Sequence, residues 1–178
     1  VVTGHIFIAS SLDGFIAREN GDLDWLLKYE GAGEDHGYDA FIQDIDVIIM
    51  GRGTYEAVRK MGPWFYTRPV TVLSARLAQQ KVPQELQGKV RFSDETPADV
   101  MARLSDEGAR RAYVDGGAVI RSFLENQLIS DMVLTRVPIL LGAGRPLFGG
   151  ASRDVALVHR ETRSFPSGLV QSRYEVER

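Results

Sequence analysis

Val47, Ile48, Ile49 and Met50 form an uninterrupted apolar run, the pattern of a strand covered on both faces. Gly51-Arg52-Gly53 breaks the run, and Thr54–Val58 predicts the first turns of a helix that ends near Met61-Gly62-Pro63. The same order recurs over residues 111–124. Ala112 and Val114 alternate as in a strand, Gly116 and Gly117 interrupt, and Val119, Ile120, Phe123 and Leu124 follow the helical period. Around these two units, strands are predicted at His5–Ser10, Val70–Ser74, Val90–Phe92 and Asp131–Val137, with a hairpin over Val155–Phe165 and Leu169–Val176. A helical turn is expected at Leu23–Leu27, short helices at Glu34–Ile42 and Ala75–Gln80, and a longer one from Thr96-Pro97 to Gly108. Gly31-Ala32-Gly33 predicts flexibility, Asn20-Gly21 a polar turn, and Pro138–Phe148 a loop punctuated by Gly and Pro. Strands alternate with helices to about residue 130, and strands then close the chain. That order predicts one α/β domain over 1–178: a three-layer α/β/α sandwich whose mixed sheet ends in antiparallel strands.

The two glycine turns carry the chemistry. A buried strand that ends in glycines and feeds a helix leaves backbone N–H groups pointing outward at the positive end of the helix dipole. Such donors suit an anion, and Arg52 between Gly51 and Gly53 offers a guanidinium fork to the same group. The alternative at either turn is an ordinary strand-to-helix connection. Two such cradles in one small domain point to a ligand with a pyrophosphate or several phosphates. Neither turn is a Walker loop or a Rossmann Gly-x-Gly-x-x-Gly. Ser74 and Arg76, directly after the Val70–Ser74 strand, could meet a further phosphate or simply make a turn.

Composition narrows the classes. The hydrophobic fraction of 44% and charged fraction of 25% are ordinary for a soluble globular protein, and the 178 residues suffice for a sizeable core. No apolar run approaches the roughly 20 residues of a membrane span. The opening Val1-Val2-Thr3-Gly4-His5 has neither a basic nor a long apolar stretch, so no signal peptide is expected. The absence of cysteine removes thiolate metal sites and cysteine nucleophiles, and fits a cytoplasmic location. A net charge of −3 gives no support to a nucleic-acid partner. His5, His36 and His159 lack zinc-site spacing, so no metal is expected, and no Gly-x-Ser-x-Gly elbow occurs. Asp94-Glu95 and Asp106-Glu107 read as solvated charge away from the glycine turns.

Several motifs resemble a known superfamily. Met50-Gly51-Arg52-Gly53-Thr54-Tyr55-Glu56 resembles the Met-Gly-Arg-x-Thr-aromatic-Glu signature of dihydrofolate reductase, and Asp115-Gly116-Gly117 with its Phe-Leu helix resembles that family's Gly-Gly-helix. Ser11-Leu12-Asp13-Gly14-Phe15-Ile16-Ala17 and Pro138-x-Leu-Leu-Gly-x-Gly-x-Pro-Leu-Phe148 are closer to the riboflavin-pathway reductase domain. The matches run in order over residues 7–148. The resemblance implies a dihydrofolate reductase-like fold, NADPH as hydride donor, a small heterocyclic or ribosylamino-pyrimidine substrate, and a homodimer.

Carried over by resemblance, Ala9, Ile16, Asn20 and Gly21 would border the nicotinamide. Gly51, Arg52, Gly53 and Thr54 would hold phosphates at the first turn, with Leu73, Ser74 and Arg76 toward the adenosine 2′-phosphate. Gly116, Gly117, Ala118, Val119 and Ile120 would meet the pyrophosphate. On the substrate side, Asp35 stands where dihydrofolate reductase places its proton-handling acid, with Glu34 adjacent. Trp25, Asp115 and Thr135 match pocket positions, and Arg145 is the candidate for a substrate phosphate. The resemblance leaves a dihydrofolate reductase proper and an NADPH-binding module without turnover as alternatives. An FMN-binding flavodoxin-like protein lacks its Ser/Thr-rich first loop.

Overall fold

The structure is a computed structural model that describes residues 1–30 and 33–178. Gly31 and Ala32, part of the glycine-rich stretch expected to be flexible, lie outside the described residues. Ten strands are β1 (Thr3–Ser11), β2 (Phe15–Ala17), β3 (Val47–Gly51), β4 (Val70–Leu73), β5 (Val90–Ser93), β6 (Arg111–Asp115), β7 (Ile129–Val137), β8 (Arg145–Pro146), β9 (Leu157–Ser164) and β10 (Val170–Val176). The helices are α1 (Asp24–Leu27), α2 (Tyr38–Gln43), α3 (Arg52–Lys60), α4 (Ala75–Ala78), α5 (Pro97–Asp106) and α6 (Gly117–Glu125).

Eight strands form one sheet in the order β5-β4-β3-β6-β1-β7-β10-β9. Pairing is parallel from β5 to β7, and β10 and β9 add antiparallel, as the terminal hairpin predicts. The apolar run of β3 divides between the two faces. Val47 and Ile49 join one core with Val100 and Leu104 of α5 and Ile120 and Phe123 of α6. Ile48 and Met50 join the other with Tyr55 of α3, Leu77 of α4 and the flanking Phe41 of α2. Helices therefore cover both faces, which is why β3 needs no polar position. The chain winds outward through β3, β4 and β5, then returns to insert β6 between β3 and β1. That reversal opens a crevice at the carboxyl ends of the strands.

Two differences from expectation bear on the site. Helix α2 starts at Tyr38, because Gly37 takes a left-handed φ of 88° and begins the helix there, leaving Glu34 and Asp35 before it. The 138–148 loop contains β8, which pairs with β2 (Phe15↔Pro146, Ala17↔Arg145). Asp13 fastens it: its carboxylate accepts from the N–H of Gly142 (2.8 Å) and Leu141 (3.2 Å) and from the Ser11 hydroxyl (2.6 Å). These hydrogen bonds hold the Asp13 carboxyl below its ordinary range. The two motifs closest to the riboflavin-pathway domain are thus two halves of one small structure. No helix is long and apolar enough to cross a membrane among the described residues.

Candidate active site

The crevice is a cleft of about 960 Å³, and both glycine turns open into it. Helices α3 and α6 start from Gly51 and Gly116, neither of which can cap with a side chain. Helices α4 and α5 are capped by the hydroxyls of Ser74 and Thr96 (3.1 and 3.2 Å). The uncapped first turns of α3 and α6 line the cleft, beside the capped starts of α4 (Ala75) and α5 (Pro97), and keep open donors there on Arg52, Gly53 and Thr54 and on Gly117, Ala118 and Val119. Ile120 is not among these donors, because its N–H is bonded to the Gly116 carbonyl at 2.8 Å and its side chain is buried in the core.

Close packing forces glycine at both turns. A Cβ on Gly116, whose φ is 98°, would stand 2.5 Å from the Thr54 hydroxyl, and one on Gly117 would stand 2.5 Å from the Pro146 carbonyl. A Cβ on Gly53 would meet the Arg145 guanidinium at 2.9 Å, and one on Gly21 would meet it at 3.2 Å. Arg145 thus lines the cleft against the α3 N-terminus and Gly21. Arg52 lines the same side and reaches Glu56 at 3.1 Å. Arg121 donates to the Pro146 carbonyl at 2.5 Å.

Beyond α3 the cleft continues past Leu73, Ser74 and Ala75 to Asp94 and Glu95. Arg76 is exposed on α4, beside this end but outside the lining. Asp94 and Glu95 follow β5 as Ser74 follows β4, so the expectation that they lie away from the site fails. Glu95 is neutralised by Arg103 (2.9 and 3.0 Å) and accepts from Ser93 (2.6 Å). Asp94 is exposed, with no side-chain partner among the described residues.

The opposite end is aromatic. Phe7, Tyr38, Phe65 and Tyr66 line it, together with Leu23, Leu26, Glu30, Tyr113 and Asp115. Phe7 stacks tilted on Phe41 at 5.0 Å, and Phe41 meets Tyr113 edge-on at 5.1 Å. The Tyr113 hydroxyl donates to the Phe7 carbonyl at 2.9 Å. Burial pushes the Asp115 carboxyl up to about 6, while the Gly116 N–H and the Tyr113 hydroxyl pull it down. Burial and the nearby Asp115 charge also raise Tyr38, to about 12, and push Tyr66 and Tyr113 well up.

Of the residues singled out in the sequence, Ala9, Ile16, Gly21, Gly51, Arg52, Gly53, Thr54, Leu73, Ser74, Asp115, Gly116, Gly117, Ala118, Val119 and Arg145 line this one cleft. The others do not. Asn20 is exposed, and its amide closes a turn with Asp22 (2.9 and 3.0 Å). Asp35 is exposed and accepts from the Gly37 N–H at 2.8 Å, so its carboxylate serves the start of α2 and not the cleft. Glu34 accepts from the backbone and hydroxyl of Ser167 (2.9 and 2.5 Å), tying its loop to the terminal hairpin. Trp25 is buried with Val137 and Leu169, and Thr135 is buried with its hydroxyl accepting from Gln171 at 3.0 Å. Sequence reasoning missed Tyr38, Phe65, Tyr66, Glu30 and Asp94. The Trp64-Phe65-Tyr66 run before β4 was the available signal.

The family model described as RibD C-terminal domain matches residues 3–171. The uncharacterized protein YwjB of Bacillus subtilis (strain 168) is 35% identical over 161 residues, covering 90% of each chain. A crystal structure from Shewanella sp. PV-4, of a protein provisionally placed in riboflavin biosynthesis, superposes with a TM-score of 0.92 at 37% identity over 99% of this chain and 100% of that one. The bifunctional deaminase and 5-amino-6-(5-phosphoribosylamino)uracil reductase of Thermotoga maritima shares the fold (TM-score 0.72, 15% identity), with 99% of this chain aligned to 57% of that one.

Proposed function

For a chain that belongs to the RibD C-terminal domain family, we propose an NADPH-dependent reductase that acts on a C=N or C=O bond of a small heterocyclic substrate. The observation that supports this most is the pair of uncapped helix N-termini, α3 and α6, that meet in one cleft. Their donors and Arg52 and Arg145 fit a pyrophosphate, and Gly53, Gly116 and Gly117 let Arg145, Thr54 and Pro146 pack closely against the two turns. Arg76 and Ser74 would receive the 2′-phosphate, and Ala9 and Ile16 would border the nicotinamide, which supplies a hydride when reduced.

The chain's own residues would do the rest. Tyr38, Phe65 and Tyr66 would hold the acceptor ring and exclude water. Asp115, protonated below about pH 6 by virtue of its burial, would hand a proton to the nitrogen or oxygen of the reduced bond. With Asp35 outside the cleft, Asp115 is the acid best placed for this role, and dihydrofolate reductase proper becomes the weaker reading. Thermal shift with NADPH, NADH and FMN tests the cofactor: a ligand at 100 times its Kd stabilises by about 2.7 kcal/mol. A shift with FMN and none with either nicotinamide would reject the proposal.

A further inference from the structure

We infer that the aromatic end of the cleft takes a flat ring, neutral or positively charged, that carries no phosphate. The inference rests on the reductase reading above, because that reading commits the arginines to the cofactor. Among the described residues three cations line the cleft: Arg52, Arg121 and Arg145. All three sit with the glycine turns. Arg145 covers Gly53 and Gly21, Arg52 pairs with Glu56 on α3, and Arg121 on α6 is bonded to the Pro146 carbonyl. Two other cations, Arg68 and Lys28, are engaged outside the cleft. Arg68 donates to the carbonyls of Ile45 and Gln43, and the Lys28 ammonium lies 5.3 Å over the Tyr29 ring, outside the lining.

The cleft lining here instead includes two carboxylates, Asp115, whose charge acts on Tyr38 and Tyr66, and the exposed Glu30, together with Phe65. Aromatic faces stack on flat rings, and their negative quadrupole favours a positive one. Carboxylates accept from ring N–H and amino groups. A phosphate dianion at this end would find no guanidinium or ammonium and would face carboxylates in a partly desolvated site, where repulsion is poorly screened. The end is therefore selective by charge as well as by shape.

Isothermal titration of 5-amino-6-(5-phosphoribosylamino)uracil and of its dephosphorylated form tests this, with the protein saturated by NADP+ so that the anion side is filled. The dephosphorylated compound should bind at least tenfold more tightly, and the difference should shrink between 50 mM and 500 mM salt. Equal or tighter binding of the phosphorylated compound, or binding of neither, overturns the inference. Failure of NADP+ itself to bind would instead count against the reductase reading. The same pair titrated with excess inorganic pyrophosphate on the glycine turns then decides the inference by the same criteria.

Discussion

Gly116 and Thr54 touch across the cleft: a Cβ added to Gly116 would stand 2.5 Å from the Thr54 hydroxyl. The two strand–glycine–helix units, separated by some sixty residues of chain, are fitted against each other at this point. Gly116→Ala must both strain a φ of 98° and displace Thr54, so it should destabilise by about 1–3 kcal/mol in urea unfolding. An unchanged midpoint would mean that the turns tolerate separation.

Gly117 is subject to a similar constraint from Pro146, whose carbonyl oxygen lies 2.5 Å from an added Cβ. Gly117→Val should therefore weaken NADPH binding more than tenfold and also lower stability, since the obstacle is backbone and not a movable side chain. Normal NADPH affinity in the folded variant would remove α6 from the cofactor site.

Asp115 makes stability depend on pH in a defined direction. Its carboxyl is raised from 3.8 to about 6 in the folded protein, so the folded state binds the extra proton between those values. Stability from this group is full below about pH 4 and declines as pH rises through about 6. Asp115→Asn should remove that decline. The variant should gain on the wild type by about 1–2 kcal/mol at pH 8 and by nothing at pH 4. A constant difference across pH 4–8, followed by chemical denaturation, would show that Asp115 is not the titrating group.

Asp35 gives a contrasting expectation. Its carboxylate only accepts the Gly37 N–H, which an asparagine oxygen can also do. Asp35→Asn should leave turnover within about twofold, whereas Asp115→Asn should lower it by about 10²-fold or more. Steady-state rates of NADPH oxidation compare them, and the opposite ranking would restore the acid placement that the dihydrofolate reductase resemblance implied.

The central strands, the two glycine turns and the terminal hairpin were legible because their signals are local: an unbroken apolar run, paired glycines, alternation. Nearly all of the glycine-turn side of the cleft followed from them. Asp35 misled because a motif count carries no information on where Gly37 starts the helix. Trp25 and Thr135 match pocket positions by resemblance yet are packed into the interior near β7 and β10, a burial that only the tertiary fold reveals. The aromatic end escaped because Phe7, Tyr38 and the Phe65-Tyr66 pair come from three separate parts of the chain, with no spacing that relates them.

In the proposed cofactor site two opposing charges, exposed Arg76 and exposed Asp94, would set the preference between NADPH and NADH. Arg76→Ala should weaken NADPH by about 5- to 30-fold and barely affect NADH. Asp94→Asn should strengthen NADPH by about 2- to 5-fold, since a carboxylate there repels the extra phosphate, and the gain should fade by 500 mM salt. Dissociation constants for both cofactors check this, and equal wild-type affinity for NADH and NADPH would contradict the assignment of Arg76.

The most direct measurement is a titration of the 15N-labelled protein with NADP+, followed through its backbone amides. The account predicts that the amides of Gly53 and Thr54 on α3 and of Gly117, Ala118 and Val119 on α6 shift together at one saturating stoichiometry, since these open N–H groups hold the pyrophosphate. Amides of the terminal strands β9 and β10, which do not line the cleft, should stay in place. Binding that leaves the α3 and α6 amides unmoved, or shifts only one of the two sets, would contradict it.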